Sequence, residues 1–179
     1  ASDVYKRQSI DEEYGGSGGG HLHLIIAVEE IAHACAATSV ILGADISLCC
    51  HSIYKFGTEE QKRRLVVPLA KGEKIGCFAL TEASAGSDAA SLQTTATRHG
   101  DGYILNGTKI FITNGNEADI AVVFATVDKS LRSKGIISFV VEKGTPGYSV
   151  GKKEKKLGIR ASSTTELIFD DCFVPLDNK

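Results

Sequence analysis

The chain carries no paired-cysteine motif, no surplus of positive charge and no complete phosphate-loop signature. Each absence removes a class of function. The five cysteines, Cys35, Cys49, Cys50, Cys77 and Cys172, form no Cys-x-x-Cys pair, and the five histidines, His21, His23, His33, His51 and His99, do not fall at zinc-ligand spacing. The expectation is reduced thiols in a cytoplasmic protein, with no metal centre. A formal net charge of −2 leaves no nucleic-acid footprint. The densest basic run, Lys152-Lys153-Glu154-Lys155-Lys156, reads as a solvated edge. Residues 15–20 are five glycines and a serine, and Gly16 and Gly18 begin a Gly-x-Gly-x-x-Gly. His21 occupies the third glycine position and no Lys-Ser or Lys-Thr follows, so a flexible loop into a helix is the better reading. No secretory leader is expected, and no stretch reads as long and apolar enough to span a bilayer.

What is present suits a globular chain. Its 179 residues are 42% hydrophobic and 23% charged, enough for one sizeable core or two small ones. Residues 22–37 show helical periodicity, with Leu22, Ile25, Ile26 and Ile31 on a broad face and Glu29, Glu30 and His33 opposite. Residues 39–54 read as a second, nearly all-apolar helix ended by Gly57. Thr58 then caps a third helix, with Gln61 completing a capping box, and Pro68 and Gly72 close it. From there the period changes to two. Strands are expected over residues 75–80, 92–98, 103–106, 109–113, 120–127, 136–142 and 166–174, with Asp101-Gly102 and Asn106-Gly107 as hairpin turns. Helices followed by strands exclude alternating βαβ units. The predicted class is α+β, an N-terminal helical segment followed by an antiparallel β-barrel or sandwich domain.

The most informative run is residues 78–91, Phe-Ala-Leu-Thr-Glu-Ala-Ser-Ala-Gly-Ser-Asp-Ala-Ala-Ser. It starts as a strand and ends in a small-residue turn whose backbone N–H groups can converge on an anion. Ala79, Leu80, Thr81, Glu82, Ala85, Gly86, Ser87, Asp88 and Ser91 fill the first signature of the acyl-CoA dehydrogenases. Glu13-Tyr14-Gly15-Gly16, Phe56-Gly57-Thr58-Glu59-Glu60-Gln61-Lys62 and Asn106-Gly107-Thr108-Lys109-Ile110-Phe111-Ile112-Thr113-Asn114-Gly115 resemble further motifs of that family, in its order. The resemblance runs from about residue 12 to residue 178.

This resemblance implies FAD-dependent α,β-dehydrogenation of a short-chain acyl-CoA, with an acyl-CoA oxidase or a non-catalytic flavin-binding remnant as alternatives. It implies that Phe78, Leu80, Thr81, Gly86, Ser87, Phe111, Ile112 and Thr113 hold the flavin, with Phe111 where many members carry Trp. Ser87, Ser133 and Lys134 would contact acyl-CoA. Glu82 would hold the turn and Asp88 would cap the segment after it, so neither is the base. The base is expected beyond Lys179, in a C-terminal helical domain that the chain lacks. The resemblance also implies an electron-transfer flavoprotein as acceptor and a homotetramer, with no nucleic-acid or membrane partner. Residues 1–11 are expected to be a non-native leader, residues 12–72 part of an N-terminal helical domain and residues 73–179 the middle β-domain.

Overall fold

The computed structural model describes residues 9–179, so most of the expected leader lies outside the described residues. Helix α1 is Gly20–Ala34 and a longer helix, α2, is Ala36–Phe56. A third, α3, spans residues 59–70. Cys35 separates the first two by adopting an extended conformation, φ −157°. Gly57 ends α2 by turning to an extended conformation, ψ 158°, in a place where a Cβ would stand 2.6 Å from the Ile53 carbonyl oxygen. Thr58 begins α3 with both halves of a capping box, Gln61 N–H to Thr58 Oγ1 and Thr58 N–H to Gln61 Oε1.

Two helical expectations need correction. On α1 the inward residues are Leu24 and Ala27, with Val28 and Ile31 packed behind them. Leu22, Ile25 and Ile26 are exposed, because the small Ala27 stripe is the one that approaches the core. Helix α2 is, by length and composition, able to cross a membrane, with 21 residues and mean hydropathy 1.4. The expectation that no stretch reaches that threshold is therefore wrong. Here half of its apolar window is buried against the rest of the chain. Asp45, at its centre, is fully buried and accepts the Gly76 N–H at 2.7 Å. Gly76 permits this approach, since a Cβ there would stand 2.5 Å from Cys49 Sγ.

Seven strands form one curled, mixed sheet: β1 Gly76–Ala79, β2 Thr95–His99, β3 Gly102–Thr113, β4 Ile120–Thr126, β5 Ile136–Glu142, β6 Tyr148–Lys153 and β7 Thr164–Pro175. The order is β1-β4-β2-β3-β7-β6, with β5 on the other edge of β4. The hairpin-like pairs are antiparallel, while β1 and β2 run parallel to β4. Alternation along β4 divides the core. Ile120 and Val122 face the helices, with Ile46, Ile53, Leu65 and Leu69. Ala121, Val123 and Ala125 face the inside of the curl, with Phe139, Leu167 and Phe169. Each fully buried Leu or Ile contributes about 1.5–3 kcal/mol.

Two differences concern turns and one a strand. Asn106-Gly107 is not a hairpin turn; β3 continues through it, with a bulge between Leu105 and Gly107. Gly107 packs too close to Thr94 to carry a side chain, with a Cβ placed 2.5 Å from Thr94 Oγ1. The β2–β3 turn is Gly100-Asp101, one residue earlier than expected, because His99 pairs with Gly102. Strand β6 is not among the expected strands and meets the basic run only at Lys152 and Lys153; its residues are mostly exposed, so it gives little buried apolar signal.

Candidate functional site

The sheet order makes the site. Strands β1 and β2 occupy successive stretches of one edge of β4, β1 along Ile120–Val123 and β2 at Thr126. Between them residues 80–94 leave the sheet, and the acidic, small-residue turn is built there. Glu82 and Ala85 close it with a reciprocal pair of backbone hydrogen bonds, both 3.1 Å. Gly86, Ser87 and Asp88 are left exposed at the tip. Among the described residues no backbone carbonyl accepts from their amides. A Cβ at Gly86 would meet nothing within 4 Å, so the protein's own packing does not require glycine there.

Beside this turn is a groove of about 190 Å³ lined by Phe78, Leu80, Thr81, Phe111, Ile112 and Thr113, with Ala44 and Leu48 of α2 on its far side. The structure thus brings together six of the eight residues expected to hold a flavin. The two walls are tied by Ile110 N–H to Thr81 O at 2.9 Å. Phe111 adopts φ +58°, a left-handed conformation that is costly for a large aromatic residue. A register shift between Lys109 and Ile112 accommodates it and leaves Phe111 59% exposed at the groove. Asn114, also left-handed at φ +65°, donates its amide to Ile41 O and Gly76 O at 3.0 and 3.2 Å. It fastens the end of β3 to both α2 and β1.

Behind the wall lies a buried ion pair. Lys109 is fully buried, and its ammonium donates to Leu80 O at 3.1 Å and Glu82 Oε1 at 2.7 Å. Glu82 also accepts the backbone N–H groups of Gln93 and Thr94, at 2.5 and 3.0 Å. Burial alone would raise the Glu82 pKa. The bonds from Lys109, Thr94 and Gln93 outweigh it and hold the carboxyl below its ordinary value. Glu82 is therefore an ionised anchor of the turn. Sequence reasoning gave Glu82 that holding role but missed its partner: Lys109 stands in an alternating strand where lysine ordinarily faces solvent.

Gly86 and Ser87 stand at the exposed turn and do not line the groove. Ser133 and Lys134 lie in the exposed connection Lys129–Gly135. That connection reaches the turn through Arg132, whose Nη2 lies 2.9 Å from both Asp88 carboxylate oxygens. Asp88 makes no side-chain cap, contrary to expectation, because its carboxylate is turned to Arg132. No lining residue of the groove is acidic.

A larger apolar cavity of about 300 Å³ lies on the other flank of Phe78, bounded by Ile53, Phe56, Val122, Phe124 and Val140. Its polar Gln61 is already committed, donating to Asp177 O and Lys179 O at 2.8 and 3.1 Å. The smaller groove, with two threonine hydroxyls and an adjoining turn of unbonded amides, has the donor set a polar cofactor needs.

Comparison with known proteins agrees in register. Residues 77–172 match the family profile described as acyl-CoA dehydrogenase, middle domain, and residues 7–73 that described as acyl-CoA dehydrogenase, N-terminal domain. A short-chain specific acyl-CoA dehydrogenase of Clostridium acetobutylicum is 57% identical over 169 residues, covering 94% of this chain and 45% of that protein. Butyryl-CoA dehydrogenase from Megasphaera elsdenii superposes with a TM-score of 0.95 at 51% identity, over 98% of this chain and 47% of its own. A chain from the structure of the electron transferring flavoprotein of Acidaminococcus fermentans gives 0.96 at 52%, over 98% and 46%. An acyl-CoA dehydrogenase complexed with FAD from Bacillus anthracis gives 0.90 at 37%, over 98% and 30%. The chain thus spans less than half the length of these relatives.

Proposed function

The chain belongs to the acyl-CoA dehydrogenase family, and we propose that the whole protein carrying it uses FAD to dehydrogenate a short-chain acyl-CoA to the 2-enoyl-CoA. The observation that carries the reading is the groove in which Thr81 and Thr113 border an apolar wall beside the unbonded amides of the turn. When bound, the flavin accepts the β-hydrogen as hydride while a carboxylate removes the α-proton.

The chain's residues hold and orient. Phe78, Leu80, Phe111 and Ile112 would supply the apolar lining against the isoalloxazine. Thr81 and Thr113 donate hydroxyl hydrogen bonds to its polar edge. Gly86 and Ser87 present backbone amides to phosphate, which the open space at Gly86 supports. Ser87, Ser133 and Lys134 form the acyl-CoA side, brought to one edge by the Asp88–Arg132 contact. This reading places the base in the remaining length of the whole protein, which the absence of an acidic residue from the groove lining supports.

The same reading extends to a cytoplasmic homotetramer that passes its electrons to an electron transferring flavoprotein. The short-chain preference is supported by the butyryl-CoA and short-chain relatives. Anaerobic addition of butyryl-CoA to the FAD-loaded whole protein tests it. Bleaching of the visible flavin band, with slow return in air, is expected. Failure of every short acyl-CoA to bleach a bound flavin overturns the reading.

A further inference from the structure

Lys109 and Glu82 do more than fill the interior behind the groove. Leu80 and Thr81, which line the groove, are each held from β3 by one hydrogen bond. Lys109 Nζ donates to Leu80 O, and Ile110 N–H donates to Thr81 O. The residue after Thr81 is Glu82, whose carboxylate is the second acceptor of the same ammonium. One buried cation therefore holds the Leu80 carbonyl and the Glu82 carboxylate, on either side of Thr81. Its side chain is fully buried and that of Glu82 is 5% exposed, so water screens neither charge. Among the described residues, the ammonium has no other acceptor.

We propose that Lys109 and Glu82 are positioning residues for the flavin: their pair sets the Leu80–Thr81 wall, and its charge balance tunes the reduction potential of the bound cofactor. The inference rests on the flavin reading above. A charge held in a dry site next to the groove acts on the electron density that reduction adds to the ring. In the intact pair the two charges offset each other. In Lys109→Met the carboxylate stands alone, and the Gln93 and Thr94 amides keep it ionised. The reduced flavin is then disfavoured. In Glu82→Gln the ammonium stands alone and the reduced flavin is favoured.

The test uses the whole protein loaded with FAD. Midpoint potential and FAD affinity are measured for wild type, both single variants and the double variant. The potential is expected to move negative in Lys109→Met and positive in Glu82→Gln. In the double variant it returns towards wild type. FAD affinity in the double variant stays about tenfold weaker, because Leu80 O has lost a charge-assisted hydrogen bond. Single-variant shifts of the same sign, or none, overturn the proposal, as does a double variant with wild-type affinity. If either single variant fails to fold, the double variant, which leaves neither charge alone, decides by its affinity. Wild-type protein that takes up no FAD overturns the functional reading itself. Wild type that binds FAD while the variants match it overturns only this inference.

Discussion

The Lys109 ammonium lies 2.7 Å from the Glu82 carboxylate across 27 residues of sequence, with both side chains withdrawn from water. Removing one member leaves the other as an unpaired buried charge. Lys109→Met is expected to cost about 3–5 kcal/mol of stability, measured by urea unfolding. Glu82→Gln in the same chain should restore a large part of that loss. A cost under about 1 kcal/mol for the single variant would place the pair with ordinary surface bridges.

Acid should expose the same anchor. Glu82 is held below the ordinary 4.5 when folded and returns to that value when unfolded. Below 4.5 the unfolded chain therefore binds the proton more readily, and stability falls with pH. The contribution is complete above about pH 4.5 and is lost as pH drops through the lower folded value. Wild type should lose stability over this acid range, and Glu82→Gln should lose less. Identical acid limbs in the two unfolding series would contradict the assignment.

Two glycines separate packing from binding. Gly107→Ala drives a methyl group to within 2.5 Å of Thr94 Oγ1, and a loss of about 1–3 kcal/mol is expected on thermal unfolding. Gly86→Ala meets nothing, so stability should change by less than about 0.5 kcal/mol. Its FAD affinity should nevertheless fall, because the methyl group enters the space in front of the unbonded amides. Unchanged affinity in Gly86→Ala would remove that turn from the cofactor site.

The start of α3 offers a local check. Thr58→Ala removes one half of the capping box and should cost about 1 kcal/mol. Gln61→Ala should cost more, since its amide also donates to Asp177 O and Lys179 O. Comparing the two urea midpoints measures the difference.

Local rules made the capping box legible in the sequence, because Thr58 and Gln61 interact at fixed spacing. The helices-then-strands order was legible from the change of period near Gly72. The groove residues were legible only through the family motifs, since Thr81 and Thr113 line one groove through a contact between Thr81 and Ile110 that periodicity does not specify. Lys109 was hidden because its strand position resembles a solvent-facing one, and only the departure of residues 80–94 from the sheet gives its ammonium a buried acceptor. Asn106-Gly107 misled because the dipeptide suits a turn, whereas here the glycine answers a close approach by Thr94. The inward face of α1 was misread for a related reason. Helical spacing places Leu22, Ile25 and Ile26 on one side but does not say which side the core takes.

The most direct test of the account is a titration of the flavin-free whole protein with FAD, beside a Phe111→Asp variant that puts a charge in the groove at an exposed position. The account predicts saturable binding by the wild type and its loss in the variant, with the fold retained by circular dichroism. Absence of binding by the wild type, or equal binding by a folded variant, would contradict the assignment of the Phe78–Thr113 groove as the cofactor site.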